Sequence, residues 1–188
     1  MKVGVIAFQG AIEEHKIALE RAIKKMGKKG EVFLIRERLK EIDALVIPGG
    51  ESTTISNLMK KTGIFDEIKR IADEIPIMGT CAGCILLAKE VRDKVETLKI
   101  MDMEVERNAF GRQKESFECP LSIKGFEKPF PGVFIRAPII KRTWGNCKPL
   151  AKIGEGIVMA KQGNKIALAF HPELTDDLRI HQYFLEMI

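Results

Sequence analysis

The sequence predicts an α/β fold, a mostly parallel sheet covered by helices with antiparallel strands added late in the chain. Three observations point there. Short apolar runs such as "KVGVIAF", "ALVI" and "IPIM" read as strands buried on both faces. Stretches with apolar residues at three- and four-residue spacing lie between them, the alternation of a β-α-β chain. Beyond the segment that opens at Ala82, the pattern changes to strand-like pieces joined by short loops containing Gly, Pro or Asn.

Taken in order, "KVGVIAF" is the first strand, and a helix follows from Glu13 to Met26 on the spacing of Ala18, Leu19, Ala22, Ile23 and Met26. "EVFLI" (Glu31 to Ile35) and "ALVI" (Ala44 to Ile47) are the next strands. Helices at Ile55 to Lys61 and Ile64 to Glu74 lead to "IPIM" (Ile75 to Met78). "CILLAKEV" reads as a helix. "MDMEVER", "KESFECPLSI", "GVFIRAP", "GIVMAKQ" and "KIALAF" read as strands, and a last helix runs from about Thr175 to Met187. With no repeat, low-complexity tract or linker, the expectation is one domain over residues 1–188.

The 188 residues carry 31 Lys and Arg against 26 acids, a net charge of +5. The basic residues are dispersed; the densest group, "KKMGKKG", reads as a solvated helix end. Aromatics do not interleave these charges, which argues against nucleic-acid binding. No apolar run is long enough to span a bilayer, and the opening "MKVGVIAFQGAIEEH" turns polar too early for a signal peptide. The expectation is a cytoplasmic protein. Cys81 and Cys84 form a C-x-x-C with no second pair at zinc-ligand spacing. Cys84, Cys119 and Cys147 are read as space-filling thiols.

Cys81 is different. "IPIMGTCAGCILLAKEV" places it on a strand-to-helix turn with a glycine on either side, the geometry of a nucleophile elbow with cysteine in the place of serine. The helix that follows points its N-terminal amides at the sulfur, which favours the thiolate, and the Ala82 amide is placed to donate to an oxyanion. A cysteine nucleophile needs a base. His15, beside Glu13 and Glu14, and His181, on the last helix, read as surface residues. His171 ends the apolar strand of "IALAFHPELTDD". Pro172 biases it toward an extended backbone, on which residues i and i+2 share a side, so Glu173 can take one imidazole nitrogen and leave the other for Cys81. A third element is "VIPGGESTTISNLMK". Gly49 and Gly50 let main-chain amides approach a ligand, and Glu51, Ser52 and Thr53 open a helix. The plainer reading of this loop is a helix capped by Ser52 or Thr53. In a parallel sheet both turns emerge at the carboxyl ends of their strands, where open α/β sheets bind ligands.

"GTCAG", "HPE" and "PGGEST" together resemble the class I, triad-type glutamine amidotransferases. Within that class "AFQGAIEEH", "ERNAFGRQKESFE", "VFIRAP" and "FHPELTDD" are similar to the glutaminase subunits of two-component pyridoxal 5'-phosphate synthases, over essentially the whole chain. The resemblance implies a three-layer, flavodoxin-like fold and a hydrolysis of L-glutamine to L-glutamate and ammonia, with ammonia passed to a separate synthase subunit in a hetero-oligomer. It implies Cys81 as nucleophile, His171 as general base and acid, and Glu173 as its orienting partner. Gly50, Glu51 and Ser52 match the glutamine-binding loop; Arg107, Ile135 and Arg136 match the remaining glutamine contacts, with Arg107 preferred to Arg112 on the match alone. Amides of Ala82, Gly49 and Gly50 would form the oxyanion site. Neither metal nor bound cofactor is required by this chemistry. Docking of the synthase near Gln9-Gly10 is expected to turn main-chain amides toward the oxyanion. The competing readings are a stand-alone hydrolase or stress protein on a related cysteine-elbow fold, and a binding module that only regulates a synthase. The first often places a histidine right after the cysteine, where this chain has Ala82; the second predicts no turnover.

Overall fold

The computed structural model describes residues 1–107 and 116–188. The chain runs β1 (Lys2–Ile6), α1 (Ile12–Lys25), β2 (Glu31–Ile35), β3 (Ala44–Ile47), α2 (Ser52–Thr62), α3 (Ile64–Ile71), β4 (Ile77–Thr80) and α4 (Ala82–Leu87). It continues through β5 (Ala88–Val91), β6 (Met101–Glu106), β7 (Ser116–Leu121), β8 (Phe130–Ile135), β9 (Ile139–Thr143), β10 (Lys148–Ile153), β11 (Gly156–Gln162) and β12 (Lys165–Leu168). A 3₁₀ turn, Pro172–Leu174, precedes α5 (Arg179–Leu185).

The main sheet has the order β2-β1-β3-β4-β12-β11-β9-β6-β5, with β10 on β11. The β2-β1-β3-β4-β12 block is parallel throughout, which is the flavodoxin-like order. From β12 onward, β11, β9 and β6 pair antiparallel. The mostly parallel α/β sheet with antiparallel additions is therefore as the sequence predicts.

Side-chain alternation splits the core into two layers around that sheet. On β3, Ala44 and Val46 pack into the same layer as Ala18, Leu19 and Phe184, while Leu45 and Ile47 face Ile55, Met59 and Ile64. The first layer is closed by α1, α5 and the β7–β8 hairpin, whose Phe130 and Phe134 flank Phe170. The second is closed by α2, α3 and α4.

Several boundaries differ from the sequence reading. Residue 75 still donates to the Ile71 carbonyl, so β4 starts at Ile77 and carries Gly79 and Thr80 in register with Ala167 and Leu168. Helix α2 starts at Ser52, three residues early, because Glu51 caps it. The helix expected over "CILLAKEV" stops at Leu87. Returning chain at Leu98 and Ile100 bonds the Leu86 and Leu87 carbonyls, and residues 88–91 join β6 as a parallel edge strand. β9 and β10 were not expected as strands. The last helix is shortened to Arg179–Leu185, since Asp177 takes the Arg179 amide and guanidinium and fixes the chain before it. Of the strand expected over "KESFECPLSI", residues 114 and 115 lie outside the described residues.

Candidate active site

Thr80 ends β4, Ala82 opens α4, and Cys81 stands between them at φ 50° and ψ −102°. A non-glycine residue holds such a conformation only where the surroundings impose it. Here the Cys81 amide is anchored to the Leu168 carbonyl at 2.8 Å. The flanking glycines serve approach rather than dihedral freedom. A Cβ on Gly79 would meet the Gly83 carbonyl at 2.6 Å, and one on Gly83 would meet the Ile47 carbonyl oxygen at 2.0 Å. Strand and helix can therefore touch through bare backbone, and the sulfur stands at the sheet's carboxyl edge. Because α4 has only six residues, its first free amides, and not a long helix dipole, supply the local positive field.

The histidine expected as base comes from the strand next door. β12 pairs parallel with β4, Leu168 opposite Thr80, and its continuation carries His171 to the same edge. The His171 amide donates to the Val133 carbonyl at 2.8 Å, tying it to β8. Glu173 lies in the 3₁₀ turn that Pro172 starts, not on an extended strand, yet the expected pairing forms: His171 Nδ1 is 2.7 Å from Glu173 Oε1. That leaves Nε2 for the Cys81 thiol. Burial works to lower the His171 pKa, but hydrogen bonds to Cys81 and Glu173 outweigh it and raise the group to about 10. Burial likewise works to raise Glu173, and the neighbouring His15 and His171 hold the carboxyl below its usual range.

His15 and His181 are not surface residues. Both side chains are fully buried, behind Glu173. His15 Nε2 lies 2.9 Å from Thr80 Oγ1 and 3.2 Å from Glu173 Oε2, and His181 Nε2 lies 3.4 Å from His15 Nδ1. Burial lowers the pKa of both, His181 to about 3, against the pull of Glu173, so both rings are neutral at neutral pH. The signal was in the sequence. His15 continues the stripe of Ala18, Leu19 and Ala22, and His181 sits on the face of Phe184 and Leu185.

A cleft of about 470 Å³ opens over Cys81. Gly49, Gly50, Glu51, Ser52, Ala82, Arg107, Ile135, Arg136 and His171 all line it, so apart from buried Glu173 the structure brings every expected site residue to one cavity. A volume near this size suits a small molecule. Gly49 packs on Cys81 and His171: a Cβ there would meet the His171 ring at 2.6 Å. Gly50 has φ +148°, and Gly10 lies against the Gly49 carbonyl, so the two glycine loops interlock. The helix cap is Glu51, not Ser52 or Thr53; its carboxylate accepts from the Thr53 and Thr54 amides at 3.0 and 2.7 Å. Despite partial burial these bonds hold Glu51 down to about 2. Arg107 Nη2 donates to Glu51 Oε1 at 3.1 Å. The Ser52 hydroxyl is buried and, among the described residues, has no hydrogen-bond partner. Cys81 Sγ lies 3.9 Å from the Ile135 carbonyl, and Arg136 adopts φ 43°. Arg112 lies outside the described residues.

The other thiols do not share this setting. Cys84 and Cys147 are buried and Cys119 is half-buried. Burial pushes all three pKa values up, Cys147 to about 11. A second concavity, about 500 Å³ beside Phe126, Arg179 and Tyr183, has no cysteine, serine or histidine among the described residues that line it.

The model of the SNO glutamine amidotransferase family matches residues 5–188. A pyridoxal 5'-phosphate synthase subunit PdxT of Thermococcus onnurineus (strain NA1) is 54% identical, with 98% of each chain covered. A protein of the same name from Methanosarcina mazei is 53% identical, covering 100% of this chain and 98% of the relative. A crystal structure described as a glutamine amidotransferase superimposes with a TM-score of 0.88 at 44% identity, over 98% of this chain and 97% of that one. Matched by the family model over residues 5–188 and by relatives at 54% and 53% identity along nearly their whole length, the chain belongs to the SNO glutamine amidotransferase family.

Proposed function

We propose that this chain is the glutaminase subunit of a pyridoxal 5'-phosphate synthase, hydrolysing L-glutamine to L-glutamate and ammonia through a thioester on Cys81. The observation that carries the reading is the chain of contacts Cys81–His171–Glu173, with Cys81 and His171 lining a cleft that Gly49, Gly50, Ile135 and Arg136 also line. Hydrogen bonds to Cys81 and Glu173 raise His171 to about 10, so its imidazole can take the Cys81 proton as the sulfur attacks the side-chain amide carbon. The carbonyl π electrons move onto oxygen, where the amides of Ala82 and of Gly49-Gly50 receive the charge. His171 gives its Nε2 proton to the amide nitrogen as the C–N bond breaks and ammonia leaves. It then takes a proton from water, whose oxygen attacks the thioester, and the sulfur departs with glutamate formed.

The rest of the cleft suits an α-amino acid. The Arg107 and Arg136 guanidinium groups match its carboxylate, the ionised Glu51 its ammonium, and the unpartnered Ser52 hydroxyl either end. A single glutaminase domain working in the cytoplasm, in a hetero-oligomer with its synthase, completes the reading. Among the described residues no helix is long and apolar enough to cross a membrane.

Glutamate and ammonia release from glutamine, titrated with the synthase subunit, tests the proposal. Equimolar products that rise with added synthase and vanish in Cys81→Ala support it. Absence of glutamate release at saturating synthase and glutamine would overturn it.

A further inference from the structure

The reaction just described uses one histidine, yet the fold buries three. A buried imidazole is retained at a cost unless its nitrogens are paired, and the pairing here leads to the back of the triad. His15 Nε2 faces two oxygens, Thr80 Oγ1 at 2.9 Å and Glu173 Oε2 at 3.2 Å. A carboxylate oxygen only accepts, so a lone pair on Nε2 at that separation would repel it; the proton therefore sits on Nε2. His15 Nδ1 is then the acceptor, and His181 Nε2–H supplies it at 3.4 Å. The Nε2–H points more nearly at Thr80, because Glu173 Oε2, fully buried, has no in-line hydrogen bond among the described residues. A small rotation of the ring redirects the same N–H from the hydroxyl to the carboxylate.

The catalytic cycle creates a need for that rotation. While His171 is an imidazolium, its charge stands beside Glu173. Once its proton has left with ammonia, the buried carboxylate faces only a neutral imidazole until water is activated. We propose that His15 is a positioning residue for the triad, whose Nε2–H, shared between Thr80 and Glu173, keeps Glu173 ionised and aimed at His171 during hydrolysis of the thioester. The inference rests on the glutaminase reading above. The titratable groups facing Glu173 are His15 on α1 with Glu14 behind it, His181 on α5, and His171 with Cys81 beyond it. The strands packed here, β4 and β8, offer Thr80 and only non-titrating residues.

The prediction is specific to the second half-reaction. His15→Leu, of similar volume and without the N–H, should lower kcat about tenfold, the scale of a hydrogen bond to a charged group. KM should fall with it, leaving kcat/KM within about twofold, and the glutamyl thioester on Cys81 should accumulate in quenched samples weighed by mass spectrometry. His15→Gln, whose amide N–H reaches the Nε2 position, should recover most of the loss. Both assays use the full chain with saturating synthase. Wild-type kcat in His15→Leu, or equal loss in both variants through kcat/KM with no added thioester, would overturn the proposal. A third reading needs neither turnover nor a variant: ¹⁵N NMR of the wild-type chain should show His15 as the neutral Nε2–H tautomer. A proton on Nδ1 would overturn the positioning role even if glutaminase activity is established, and it decides the matter if His15→Leu fails to fold.

Discussion

Gly83 and Ile47 meet backbone to backbone: the space a Cβ on Gly83 would take is 2.0 Å from the Ile47 carbonyl oxygen. This contact seats α4 on the sheet and so sets where Cys81 stands. Because the obstacle is main chain, side-chain motion cannot relieve it.

Gly83→Ala should therefore destabilise the fold by roughly 1–3 kcal/mol or more, as overpacking does, and should reduce glutamine turnover further than stability alone explains. Urea unfolding and an assay of the folded fraction separate the two. Unchanged stability would show that the contact yields more easily than its geometry implies.

The four thiols should differ in reactivity. A glutamine-mimicking electrophile is expected to label Cys81 alone, since burial raises Cys84, Cys119 and Cys147 and keeps them as thiols. In Cys81→Ala the contacts with the sulfur that help raise His171 disappear. Its imidazole should then titrate well below about 10, a shift that NMR of labelled histidine measures directly.

The two partners of the triad should differ in cost. His171→Asn removes both proton transfers and should lower turnover about a thousandfold or more. Glu173→Gln keeps an oxygen that accepts from Nδ1–H and should lose roughly a tenth as much. Comparable activity in wild type and His171→Asn would place the base elsewhere.

Stability should fall on the acid side earlier than carboxylates alone would cause. Between the unfolded histidine value near 6.5 and the lowered folded values of His15 and His181, the unfolded chain binds protons that the folded chain refuses. The contribution is complete above pH 6.5 and declines as pH drops, by up to ~1.4 kcal/mol per pH unit per histidine. Melting temperatures between pH 7 and 4.5 test this, and His181→Phe should flatten the slope. A wild-type curve flat over that range would contradict the burial argument.

The parallel half of the sheet and the meeting of Cys81, His171 and Glu173 were legible because local chemistry decided them: glycines around one cysteine, and proline after one histidine. What escaped depended on neighbours. "IIKRT" and "KPLAKI" mix charge and apolar residues without clear alternation, and they became strands because β6 and β11 offered edges. "AKEV" left the helix for the same reason. His15 follows two glutamates, which suggested water, but α5 and the 3₁₀ turn close over it. Glu51 displaced Ser52 as the cap because its carboxylate can reach two amides and Arg107 together.

The place of β12 has a consequence for biosynthesis. This strand, among the last to be made, slots between β4 and β11 in the middle of the sheet, and its continuation carries His171, the proposed base. A nascent chain on the ribosome already holds the cysteine elbow but lacks the imidazole that would activate it. Insertion of a parallel central strand over such sequence distance is slow, so in the proposed mechanism a chain that stops before β12 would hold the thiol without its base.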